Sequence, residues 1–112
     1  MSEMAPQDIC ISAVTLTEIR FGIEEMQDGQ RRRNLTQWLT QDLLHGFAGR
    51  ILPVDEKVAQ EAGRLISAGK RDGVKPDLAD ALIAATARVH SLKLATLNTT
   101  HFEQLGVDLV KW

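Results

Sequence analysis

The sequence is poor in the residues that several classes of protein require. Its single cysteine, Cys10, excludes an internal disulfide and a thiolate zinc site, and it fits a reducing cytoplasm. Tyrosine is absent and aromatic residues make up only 4% of the chain, which argues against the stacking platforms of single-strand-binding proteins. No apolar run approaches the roughly 18 residues that cross a bilayer, and the polar start is unlike a secretory signal. We therefore expect a soluble, cytoplasmic protein.

An excess of positive charge is lacking too. The 13 Lys and Arg residues face 15 Asp and Glu residues, which leaves a net charge of −2. Affinity for nucleic acid cannot then come from a generally basic surface, although a local basic groove stays possible. The 112 residues, 44% hydrophobic and 25% charged, are typical of one globular domain, which we expect to span residues 1–112.

Short apolar segments alternate with amphipathic ones along the chain. Strands are predicted over residues 9–14, 50–54, 92–97 and 107–110, and a short helix over 102–105. Longer helices are predicted to begin at Thr15 with a capping box to Glu18, before Leu35, and after Asp55 and Asp77. This alternation predicts an α/β fold around a mostly parallel sheet.

Most strong catalytic motifs are missing. The sequence has no glycine-rich phosphate loop, no HExxH, and no serine or cysteine nucleophile with a plausible histidine relay. His45, His90 and His101 are scattered without metal-ligand spacing, and such histidines are more often surface or helix-end residues than ligands. Any catalytic site must therefore be sought among the acidic residues.

Two acidic residues stand at unusual positions. Glu18 follows a buried strand by one helical turn, near the carboxyl edge where open α/β sheets place their sites. Asp80 lies in the most apolar helix, where a carboxylate must be paired, hydrogen-bonded or bound to a cation. Both also fit a simpler role as first-turn capping residues. Alternatively, the two carboxylates converge on one Mg²⁺, which typically takes one or two carboxylates plus waters and phosphates.

Several blocks of this sequence resemble the conserved blocks of one family, the PIN-domain toxins of the VapC/FitB type. The second block of that family resembles Ile11–Glu24, and the third resembles Asp77–Ala87. The fourth resembles Leu94–Asn98 followed by His101 and Phe102. The resemblance runs in order and spacing over nearly the whole chain.

The resemblance implies a PIN-like three-layer α/β/α fold and a ribonuclease toxin of a toxin–antitoxin (plasmid stability) system. It further implies dependence on Mg²⁺ or Mn²⁺, an RNA substrate, a cognate antitoxin and a homodimer. Glu18 and Asp80 match family acids and are expected to be catalytic metal ligands, and Asn98 matches a positioning residue. One interpretation of Arg20, Arg31, Arg32 and Arg33 is that they contact RNA phosphates or an acidic antitoxin tail. The alternative for the arginine run is that it is simply the solvated end of a helix.

The chain departs from the family pattern in two ways. It starts past the family's first strand, whose aspartate is a leading metal ligand, and it has His101 where the family has a second aspartate. Because that strand is central in the family's sheet, its absence would leave two unpaired strand edges facing each other. We expect one of three explanations: another chain fills the gap, the fold rearranges, or the start codon is placed too far downstream. The alternative function is then a catalytically inactive, shortened module that binds antitoxin or pairs with an intact toxin.

Overall fold

The structure, a computed structural model, describes residues 9–96 and 109–111. The predicted helix over 102–105, together with Asn98 and His101, lies outside these residues. Four strands form one sheet in the order β2-β1-β3-β4, and every neighbouring pair is parallel. Their bounds are Ile9–Ser12 (β1), Ile51–Leu52 (β2), Lys93–Thr96 (β3) and Leu109–Lys111 (β4). The predicted parallel α/β sheet is therefore confirmed.

β1 and β3 pair directly with each other in the sheet. Ile9 lies opposite Lys93 and Cys10 opposite Leu94. On its other side, β1 pairs with β2 through Ile11 and Ser12. The edges that the family pattern predicts to face each other are therefore joined, and their backbone groups find partners within the chain.

The first helix begins earlier than the sequence suggests. Helix α1 spans Ala13–Glu24, and its N-cap is Ser12, whose hydroxyl accepts a hydrogen bond from the Val14 N–H at 3.0 Å. The predicted strand to residue 14 and the predicted capping box from Thr15 to Glu18 are both wrong. Pairing between β1 and β2 ends at Ser12, and a serine at that position is itself a good N-cap.

The second helical stretch is not α-helical throughout. Helix α2 spans Gln30–Gln37, a π-helical segment follows over Trp38–Leu43, and α3 continues over Leu44–Gly46. The stretch begins at Gln30, before Leu35 as predicted, and it ends at Gly46, the earlier of the two glycines, Gly46 and Gly49, near which its apolar pattern predicts an end. Its apolar residues face the core as predicted, and Leu39 and Leu43 are buried.

The two remaining helices begin where the sequence predicts. Helix α4 spans Glu56–Arg71 and α5 spans Leu78–Val89, with Asp55 and Asp77 as their N-caps. Asp55 accepts a hydrogen bond from the Val58 N–H at 2.9 Å, whereas the Asp77 side chain makes no capping bond. Helix α5 is buried on several sides, as its composition suggests, and its buried residues are Ala81, Ile83, Ala84, Ala85, Thr86 and Ala87.

Helices cover both faces of the sheet. Successive strand residues point to opposite faces, so Cys10 and Ile11 divide the core in two. Cys10 packs with Ile83, Ala84 and Ala87 of α5, while Ile11 packs with residues of α1 and the second helical stretch. Helix α4 packs against α5. This is the predicted three-layer α/β/α architecture. No helix among the described residues is long and apolar enough to cross a membrane.

Candidate functional site

The two helices that carry the candidate acids begin at the same end of the sheet. Helix α1 starts directly after β1, at its carboxyl end. Helix α5 leads through a short turn into β3, which is parallel to β1, so α5 must run from the carboxyl end toward the amino end. The two helices also contact each other. The carboxyl edge of an open parallel sheet is where such folds bind ligands.

Glu18 and Asp80 differ in position within their helices. Because α1 begins at Ala13, Glu18 is its sixth residue, and it is exposed. Glu18 therefore lies beyond the first turn, which excludes the capping role that its spacing from Thr15 suggested. Asp80 lies in the first turn of α5 and is half-buried, where its charge favours the positive end of the helix dipole. Of the two acids, only Asp80 lies in the first turn of its helix.

Two buried hydroxyl groups join the acid-bearing helices. Ser12, the N-cap of α1, and Thr86 of α5 are both 0% exposed, and their hydroxyl oxygens lie 3.2 Å apart. Thr86 also donates to the Leu82 carbonyl oxygen at 2.8 Å within its own helix. This contact could not be predicted from local sequence patterns, because the two residues are 74 positions apart.

Both carboxylates are chemically suited to a hard divalent cation. Carboxylate oxygens are ligands that Mg²⁺ accepts, and it typically keeps several waters beside one or two of them. Among residues 9–96 and 109–111, no group of three or more His, Cys, Asp or Glu side chains is placed to hold a metal. Glu18 and Asp80 are two carboxylates of this chemical type.

Three of the four candidate arginines line an open groove of about 430 Å³ between α1 and α2. Arg20 and Arg32 both form ion pairs with Glu24, at 3.0 and 2.8 Å, and Arg33 lies 3.7 Å from Asp28. The fourth, Arg31, is exposed and does not line the groove. Sequence reasoning missed the two acids, although the i,i+4 spacing of Arg20 and Glu24 was a readable signal.

Two titratable groups away from Glu18 and Asp80 are perturbed. Burial raises the pKa of the Cys10 thiol to about 11, although the nearby Arg50 charge acts in the opposite direction. A hydrogen bond from Arg64 lowers the pKa of Glu61, and Arg88 contributes in the same direction against partial burial. Glu61 joins α4 to α5 through Arg88, with an N–O distance of 2.9 Å. These shifts have structural causes.

Comparison with known proteins points to one family. The family model described as PIN domain matches residues 2–107. Toxin FitB of Neisseria gonorrhoeae is 42% identical over 96 residues, which are 86% of this chain and 69% of that protein. The VapC ribonuclease Y4jK of Sinorhizobium fredii is 36% identical, with 93% and 74% covered.

Two further comparisons agree with these. The plasmid stability protein StbB of Pseudomonas syringae is 32% identical over 106 residues, which are 95% of this chain and 76% of that protein. The solved structure of FitAB bound to a DNA fragment superposes with a TM-score of 0.82 at 36% identity, and covers 96% of this chain and 76% of that one.

Proposed function

The chain belongs to the PIN-domain family of VapC- and FitB-type toxins, and on this premise we propose that it is an endoribonuclease toxin that hydrolyses RNA phosphodiester bonds with Mg²⁺ or Mn²⁺. The observation that carries the proposal is that α1 and α5 begin at one end of the sheet, contact each other and each bear one candidate acid. Ribonuclease is the name given to the Sinorhizobium relative.

In this proposal the chain's own residues hold the cation and the substrate. Glu18 and Asp80 provide the carboxylates, and Asn98 orients a water or the substrate. When bound, the cation supplies an activated water and offsets negative charge on the leaving oxygen. Arg20, Arg32 and Arg33 contact either RNA phosphates or acidic residues of an antitoxin, whereas Arg31 lies outside the groove that these three line.

The proposal extends to the biological setting. Solved structures of FitAB and VapBC complexes are similar to this chain. This similarity supports a cognate antitoxin as partner. The relative named StbB supports a role in plasmid stability, and the cytoplasm is where both RNA and antitoxin are met.

We also propose a homodimer, so light scattering on the purified chain is expected to give twice the 12.4 kDa of one chain. The monomer mass at every concentration would contradict the dimer.

The decisive experiment is cleavage of a single-stranded RNA by the purified chain with Mn²⁺, beside Glu18→Gln and Asp80→Asn. Each variant removes a carboxylate charge at nearly constant volume, and each is expected to lower the cleavage rate about 100-fold or more. The melting temperature should change by only a few degrees, because Glu18 is exposed and Asp80 half-buried.

Matched controls are Glu25→Gln and Asp42→Asn, which remove exposed carboxylates at the C-cap of α1 and in the π-helical segment. They are expected to cleave at the wild-type rate. Equal losses of cleavage rate in all four variants would show a general effect of charge and would contradict the assignment of Glu18 and Asp80 as metal ligands. A folded wild-type chain that cleaves no RNA with Mn²⁺ would overturn the enzymatic proposal and leave the inactive, antitoxin-binding module.

A further inference from the structure

The buried contact between Ser12 and Thr86 is part of a longer run of hydrogen bonds. Each hydroxyl carries one proton and can accept further hydrogen bonds. The Thr86 hydroxyl oxygen lies 2.8 Å from the Leu82 carbonyl oxygen, to which it donates, and 3.2 Å from the Ser12 hydroxyl oxygen. The Ser12 oxygen in turn accepts from the Val14 N–H at 3.0 Å. A continuous chain of hydrogen bonds therefore runs from the α1 backbone to the α5 backbone.

This polar contact lies among short apolar side chains. Thr86 is the one polar side chain among the six buried residues of α5, four of which are alanines. The hydroxyl contact therefore adds a directional link between α5 and Ser12 to packing that is otherwise apolar. A hydrogen bond between two side chains is lost when either helix moves by about an ångström, because it requires a narrow range of distance and angle.

Each residue of the contact lies six positions from the candidate acid in its own segment. Glu18 comes six residues after Ser12 in α1, and Asp80 comes six residues before Thr86 in α5. Six residues correspond to about 9 Å of helix, so a small rotation at the contact becomes a displacement at each carboxylate. Neither hydroxyl needs to touch the cation or the RNA for this to matter.

We propose that Ser12 and Thr86 are a positioning pair, which fixes α1 against α5 and so sets the separation of the Glu18 and Asp80 carboxylates. This inference rests on the proposed function for its effect on cleavage, but not for its effect on the helices. Partners that orient metal ligands typically change metal affinity or activity by about 10- to 100-fold when they are removed.

The test uses two variants that break the chain of hydrogen bonds from opposite ends. Thr86→Val keeps the side-chain shape and removes the hydroxyl. Ser12→Gly removes the other hydroxyl and keeps a residue that is acceptable at an N-cap. Both are expected to weaken Mn²⁺ binding, measured by electron paramagnetic resonance with the metal alone, and to lower kcat by about tenfold with KM unchanged. Thr86→Ser is expected to restore both.

The matched control separates positioning from simple loss of stability. Val58→Ala opens a cavity on the other side of α5, where Val58 packs with Ala81 and Ala85. It is expected to lower the melting temperature at least as much as Thr86→Val and to leave Mn²⁺ affinity and kcat within about twofold of wild type. If Val58→Ala and Thr86→Val lower the metal affinity and kcat alike, the pair is merely structural and the proposal is overturned.

A distance measurement decides the point even if the chain cleaves no RNA. Spin labels are attached at Phe21→Cys on α1 and Leu78→Cys on α5, whose native side chains are 64% and 62% exposed, while Cys10 is buried and protected. The proposal predicts a broader or shifted distance distribution in Thr86→Val and Ser12→Gly, but not in Val58→Ala. An unchanged distribution overturns it, whereas a changed distribution in a chain without ribonuclease activity overturns only the proposed function.

Discussion

At the scale of single residues, Glu61 makes the stability of the protein depend on pH. Hydrogen bonds from Arg64 and Arg88 lower its pKa, so the folded state holds the charged form more tightly than the unfolded state does. The stabilisation that results is fully present above the pKa of Glu61 in the unfolded chain, which is about 4.3. It is lost as the pH falls through the lower pKa of Glu61 in the folded protein.

Glu61→Gln is therefore expected to reduce the free energy of unfolding by about 0.5–1 kcal/mol at pH 7, a modest amount because both arginines are largely exposed. Urea unfolding should show that the difference from wild type shrinks as the pH falls below the unfolded pKa and through the lower folded pKa. Arg88→Gln, which removes one partner, should show a smaller change with pH. A difference that grows in acid would contradict the assigned direction.

At the scale of elements, Gly69 near the end of α4 lies in close contact with Pro76 in the turn that leads to α5. A Cβ added to Gly69 would lie 2.7 Å from Cγ and 2.9 Å from Cδ of Pro76, closer than side-chain atoms approach. The Gly69 carbonyl oxygen also accepts from the Val74 N–H at 2.8 Å, so the chain cannot easily move away. We expect Gly69→Ala to destabilise the protein by about 1–3 kcal/mol, despite alanine's higher helix propensity.

Gly63 provides the matched control in the same helix, because among the described residues nothing lies within 4 Å of the position its Cβ would take. Gly63→Ala is expected to stabilise the protein by about 0.5–1 kcal/mol through helix propensity alone. Thermal unfolding of the two variants measures both values. A stabilised Gly69→Ala would show that the loop yields and that the close approach to Pro76 carries no structural restraint.

At the scale of the whole molecule, a net charge of −2 limits how RNA can be bound. Only local arginines can replace counterions on the phosphates, and three of them share the groove with Glu24 and Asp28. If all three contact single-stranded RNA, the logarithm of kcat/KM should fall with the logarithm of salt concentration with a slope of about −2. A much steeper slope would require a basic surface that the composition excludes.

Arg33 is the most informative of these arginines, because its carboxylate neighbour Asp28 is 83% exposed and 3.7 Å away. Arg33→Gln is expected to reduce the magnitude of the salt slope by about 0.7, whereas Arg31→Gln, outside the groove, should leave it unchanged. Equal effects of both variants would assign the role to the arginine run as a whole. No effect of Arg33→Gln would favour an antitoxin, instead of RNA, as the occupant of the groove.

Local signals in the sequence predicted much of the fold. Asp55 and Asp77 mark the starts of α4 and α5, and the apolar residues from Leu35 to Leu43 face the core as their spacing indicates. These signals act within one or two turns of chain, where backbone geometry and burial pattern suffice. The candidate acids Glu18 and Asp80 were also found from the sequence, and their roles stay predictions.

Other features depend on contacts between distant parts of the chain. Ser12 and Thr15 are both good N-caps, and the choice between them follows from where pairing between β1 and β2 ends. The direct pairing of β1 with β3 joins backbone groups over 80 residues apart, and the hydroxyl contact of Ser12 with Thr86 spans 74. The sequence by itself determined the α/β class, the starts of α4 and α5, and the two candidate acids. Only the tertiary structure decided the strand order and the contact between the helices that bear them, because these depend on which distant surfaces are buried together.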